Sequence, residues 1–281
     1  MSPFYFFIVL CAAVFNASWN AIVKSGPDKQ LDVTLVAGGA AVFAALALPF
    51  LAQPASTSWP YIIASTPVQL LYYRLLAIAY GRGEMSEAYP LMRGIAPLLV
   101  ATAAGPVIGE QLTLHRWIGV VLICGGTFCM TIDAHVGKPP HHRSAIPIAV
   151  TIASVIALYT VIDGLGVRRS GAPLAYVLWI FLLTGLPLAL WMVALRGRDL
   201  LGYARTRLHF GLLGGAGTVG SYSLTLFAMT AVPVALVAAL RETSILFATL
   251  IAVVILKERI RWPRYLAISL IASGAIAIRI A

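Results

Sequence analysis

Apolar stretches bounded by proline, glycine or charge recur along the whole chain. They fall at about 3–24, 31–51, 59–80, 84–108 and 116–133, then at 146–164, 173–195, 208–229, 233–256 and 262–280. A helix needs roughly 20 apolar residues to cross the hydrocarbon core of a bilayer. A backbone in lipid must satisfy its own hydrogen bonds, and runs of this length do so as helices. The pattern predicts an all-α integral membrane protein with ten transmembrane helices. The longest clearly polar connection, AHVGKPPHHRSA at 134–145, separates 1–133 from 146–281.

The two halves share a pattern. An offset of 148 places Arg93 on Arg241, Glu110 on Glu258, Leu112 on Ile260 and Arg116 on Arg264. It also places Trp117 on Tyr265 and Gly126 on Gly274. Each half carries five spans, and an odd number forces the second copy to enter the membrane inverted. Inverted repeats of this kind put a solute site at the midplane between the copies.

Composition agrees with the spans. Of 281 residues, 60% are hydrophobic and 11% charged, against about one quarter charged in soluble domains. The formal charge of +10 does not indicate nucleic acid, because the cations sit in short connections between apolar runs. The connections at 24–29, 82, 138–143, 196–207 and 257–264 hold thirteen lysines and arginines, whereas the opposite side holds Arg116, Arg168, Arg169 and Arg279. The positive-inside rule then favours both termini outside. Met1 to Val23 has no basic leader region and reads as a retained first helix. Cys11, Cys124 and Cys129 fall inside apolar runs and read as packing residues, not as a disulfide or metal framework. No GxSxG, Walker A or HExxH pattern occurs, and the linker histidines His135, His141 and His142 sit among prolines in a polar loop. No cofactor or metal is expected.

Charge inside a span costs a few kcal/mol, which makes it a candidate for function. Arg93 lies near the middle of the fourth span and Arg241 near that of the ninth. Two guanidiniums facing one cavity would hold a carboxylate, phosphate or phosphonate through charge-assisted hydrogen bonds. Internal neutralisation or a gating role is the competing reading. Glu242 is the candidate proton-coupling acid; pairing with Arg241 would oppose that role. Asn16, Trp19 and Asn20 share one helix face by their spacing, facing either a cavity or a neighbouring helix. Tyr89 precedes Arg93 by one turn, and Tyr159 and Tyr222 sit within apolar helices, as cavity lining or as packing. Arg74 reads as structural, paired with Glu84 or Glu87. Glu110 and Glu258 sit at helix ends near loop arginines, in structural or gating positions.

The stretches AYPLMRGIAPLLVATAAGPVIGEQLT and ALVAALRETSILFATLIAVVILKERI, with FNASWNAIVKSG in the first span, resemble the EamA-type branch of the drug/metabolite transporter superfamily. The resemblance covers essentially the whole chain. It implies two inverted five-helix EamA repeats in a bacterial-type cytoplasmic membrane. It also implies transport of a small organic metabolite. Without an ATP-binding motif the expected driving force is an ion gradient or exchange, with protons, through Glu242, as the candidate coupling ion and membrane lipid as the other partner. Basic residues on the fourth and ninth helices of phosphate-binding superfamily members favour an anionic solute. Other relatives export neutral amino acids or hydrophobic compounds, and those are expected to have cytoplasmic termini. An enzyme acting on a lipid-borne substrate, with Glu84 and Glu87 as an acid pair, is the rival from another class.

Overall fold

The computed structural model describes residues 1–81, 85–135, 145–254, 257 and 262–281. Helix α1 (Pro3–Ser25) opens with proline in its first turn, where a missing N–H costs nothing. Asp28 then caps α2 (Lys29–Ala47) by accepting from the Gln30 and Leu31 amides. Helix α3 (Trp59–Gly81) contains Pro67, and α4 (Met85–Ala103) contains Pro90 and Pro97. A π turn, Ala104–Ile108, extends α4 and ends at Gly109, whose φ of 79° suits glycine. Helices α5 (Leu114–His135) and α6 (Ala145–Ser170) flank the interval between the repeats. The chain continues as α7 (Pro173–Met229), α8 (Val234–Leu240), α9 (Ser244–Val254) and α10 (Trp262–Ile280).

Among the described residues, eight helical stretches are long and apolar enough to cross a membrane. One of them is α7, whose 57 residues contain a non-helical break at Arg196 (φ −139°, ψ 37°), making limbs 173–195 and 197–229. Helix α5 carries a shorter apolar stretch, Leu114–Met130. Two limbs in α7 together with α5 are consistent with ten passes. Phe4, Phe7, Phe50, Ile63, Leu190 and Leu213 are all exposed. A belt of large exposed apolar side chains suits lipid and would not suit water.

Two boundaries differ from the sequence pattern. The basic segment 196–207, expected as a connection, is helical apart from the break. Leu200 and Tyr203 within it pack on Leu31 and Leu35 of α2, while Arg196 and Arg207 pair with Asp28 and Asp32 at 2.8 and 3.0 Å. Tertiary partners for both its apolar and its charged residues keep the helix going. The ninth span, expected as one run, is interrupted by a 3₁₀ turn at Arg241–Thr243 between α8 and α9.

Helix contacts follow the repeat. Helix α6 packs on α3 and α4, as α1 packs on the second limb of α7 and on α9. Helix α5 packs on its own counterpart, α10. That seam is close: a Cβ at Gly274 would lie 2.7 Å from both the Gly119 carbonyl oxygen and Ile123. Small residues admit such approach where no hydrophobic drive exists between lipid-facing helices.

Candidate functional site

At mid-depth the helices leave a cavity of about 120 Å³, room for several waters or a small solute. Its walls come from both repeats: α1 to α4 on one side, and α6, both limbs of α7 and the Arg241–Thr243 turn on the other. Asn16, Trp19, Asn20, Tyr89, Arg93, Tyr159, Tyr222, Arg241 and Glu242, dispersed over the sequence, all line it. Val23 of α1, Val33 of α2 and Leu76 of α3 extend the lining towards the α1–α2 connection.

The polar groups form a connected chain. Arg93 Nε stands 2.8 Å from Glu242 Oε2, with only 10% and 5% of the two side chains exposed. Arg93 Nη2 donates to Ser244 Oγ at 2.9 Å, and Asn16 Nδ2 donates to the same oxygen at 3.0 Å. Trp19 Nε1 donates to Asn16 Oδ1 at 3.1 Å, and Asn20 Nδ2 donates to the Asn16 carbonyl oxygen at 2.8 Å. Tyr89 reaches Asn20 Oδ1 at 3.4 Å and lies beneath the Arg93 guanidinium. Glu242 therefore makes its direct ion pair with Arg93 of the other repeat, while the adjacent Arg241 acts on it by charge alone. Arg241 lies against the Tyr159 hydroxyl, and no carboxylate among the described residues forms an ion pair with it.

Beneath the cavity wall sits Asp163 of α6, fully buried. Gln69 Nε2 donates to its Oδ2 at 3.1 Å and the Tyr176 hydroxyl to its Oδ1 at 3.2 Å. The Tyr222 hydroxyl donates to Oδ2, and Ser65 also bonds the carboxyl. Sequence reading missed Asp163 because it stands next to last in the apolar run at 146–164, where it looks like a helix end. The structure carries α6 on to Ser170 and buries it. The signal was present: an acid inside an apolar run, with the apolar pattern resuming at Leu165 and Val167 beyond it. Gln69 and Ser244 were missed as well, being unremarkable singly in sequence.

Glu110 lies away from the cavity. Its Oε1 accepts from Arg168 Nη2 at 2.6 Å and from the Val234 amide at 2.9 Å. Arg168 also donates to the Met229 and Val232 carbonyls at 2.8 and 3.0 Å. This cluster ties the end of α6 to the turn between α7 and α8, on the face bearing both termini. Arg74 is exposed. Glu84, Glu258 and the Glu87 side chain, and with them the proposed acid pair, lie outside the described residues. The linker histidines His141 and His142 do too, as does the His135 side chain.

A helical bundle of two repeats around a membrane-buried polar cavity is the architecture of a carrier for small solutes. The chain belongs to the EamA-like transporter family, whose model matches residues 3–132 and again 143–280. No curated protein matches the sequence. Twenty-six chains of solved structures match it. One of these crystal structures is 20% identical and covers 100% of this chain and 98% of its own, with a TM-score of 0.77. That likeness establishes the shared fold.

Proposed function

We propose that this protein is a secondary transporter, not an enzyme, and that it moves a small organic metabolite bearing a carboxylate, phosphate or phosphonate. What supports this reading is the charge balance of the cavity: two guanidiniums line it with one carboxylate, Glu242. Glu242 is taken up by Arg93, which leaves Arg241 as the excess positive charge facing the solute. Binding an anion there satisfies a cation that is costly at this depth. Asn16, Trp19, Asn20, Tyr89, Tyr159 and Tyr222 shape the remainder. The solute would move down or against its gradient by coupling to an ion or by exchange.

The Arg93–Glu242 pair also gives substance to the rival reading, a neutral-solute exporter in which Arg93 is structural. Thermal stability of the purified protein in detergent separates the two. A ligand at 100 times its dissociation constant adds about 2.7 kcal/mol to the folded state. Organic phosphates, phosphonates or carboxylates are expected to stabilise the wild type and to lose that effect in Arg241→Gln. This variant is preferred to Arg93→Gln because it strands no carboxylate. Stabilisation by neutral amino acids or hydrophobic compounds alone, unchanged in Arg241→Gln, would reverse the conclusion.

A further inference from the structure

We infer that Asp163 is a proton-binding site whose charge state is passed to the solute cavity through Tyr222. The inference rests on the transport reading and adds its coupling group. Asp163 is fully buried, and no cation among the described residues forms an ion pair with it. Its partners are neutral hydrogen-bonding groups: Gln69, Ser65, Tyr176 and Tyr222. A buried carboxylate without a counter-ion is neutralised most cheaply by a proton. Gln69 and the two tyrosines aim hydrogens at it, whereas a metal cation would need oxygen lone pairs.

The groups around it are of two kinds. From α3 come Ser65 and Gln69, from the two limbs of α7 Tyr176 and Tyr222, and from α6 itself Tyr159, one turn earlier. Arg241 lies beyond Tyr159 and Tyr222, while α4 supplies Arg93 and Tyr89 further off, with Glu242 compensating Arg93. Tyr222 and Gln69 belong both to this cluster and to the cavity wall. A tyrosine hydroxyl has one hydrogen and can also accept. With Asp163 ionised, Tyr222 donates to it. With Asp163 protonated, the carboxyl donates to Tyr222, and the hydroxyl hydrogen is released towards a solute in the cavity. The proton itself comes from water in the cavity, so no other reactant is required.

This predicts a difference from Glu242, whose carboxylate is neutralised by Arg93. Infrared titration of the protein reconstituted in lipid vesicles, with no solute present, reads the protonated carboxyl stretch directly. A band that disappears as pH rises is expected in the wild type and in Glu242→Gln, and is lost in Asp163→Asn. Should Asp163→Asn fail to fold, Tyr222→Phe decides. Removing one hydrogen bond from Asp163 moves the band's frequency if Asp163 carries the proton. A band that survives Asp163→Asn and vanishes in Glu242→Gln overturns the assignment, as does a wild type with no titrating band or a Tyr222→Phe band unmoved. Because no solute takes part, failure of the anion reading would leave this result standing, and the reverse also holds.

Discussion

The Arg93–Glu242 pair joins α4 of the first repeat to the interrupted ninth span of the second. Removing one member of a buried pair strands a charge and costs about 3–5 kcal/mol, whereas removing both costs far less. Unfolding of Glu242→Gln in detergent should therefore show a loss of that size. The double variant Arg93→Gln/Glu242→Gln should lose less than the sum of the singles. Strict additivity would mean that the two groups do not interact in the membrane. Arg93, Arg241 and the Asn16–Trp19–Asn20 face were legible in sequence, since polar groups stand out against apolar runs. The partner of Arg93 was not legible: it depends on a contact between helices, and Ser244, the other group on Arg93, is 151 residues away.

Elements are held by close backbone approach inside the bundle and by charge at its rim. Gly274→Val would force a side chain into the Gly119 carbonyl and Ile123, with a cost of about 1–3 kcal/mol for overpacking. Gly38 has nothing within 4 Å of an added Cβ, so Gly38→Ala is expected to leave stability unchanged or raise it by up to about 1 kcal/mol. Equal effects of the two substitutions on the melting temperature would contradict the seam between α5 and α10. At the rim, Asp28 caps α2 and pairs with Arg196. Burial alone would raise its carboxyl, but the Leu31 amide, Arg196 and the Gln30 amide outweigh that and hold it below the usual carboxylate range. A folded carboxyl that titrates below its unfolded counterpart stabilises the fold above the unfolded value, about 3.9. That contribution disappears as pH falls through the folded value. Asp28→Asn keeps a capping side chain and removes the pair. It should cost under about 1 kcal/mol at neutral pH, since both side chains are partly exposed. It should also flatten the acid limb of a stability–pH curve, and an unaltered limb would count against the pairing.

For the whole molecule, an even number of passes puts both termini on one face, the face bearing the Glu110–Arg168 cluster. The thirteen cations expected on the opposite face should hold that face in the cytoplasm. In a variant with Cys11, Cys124 and Cys129 replaced, a cysteine at Ser2 should react with a membrane-impermeant thiol reagent in intact cells. Labelling only after the membrane is opened would show that the charge bias does not set the topology. Sequence alone determined the lipid-embedded class, the positions of most spans, the two-fold repeat and the arginines at mid-span. Those properties follow from local hydropathy and from a pattern repeated along one chain. Only the tertiary structure decided that 196–207 stays helical, because Leu31 and Asp32 of α2 and its capping residue Asp28 supply its partners. It alone gave Glu242 to Arg93 and left Arg241 facing the cavity. It also placed Asp163 among neutral donors from α3 and α7. Such pairings depend on which helices touch and at what rotation, and helical periodicity carries no record of a neighbour's face.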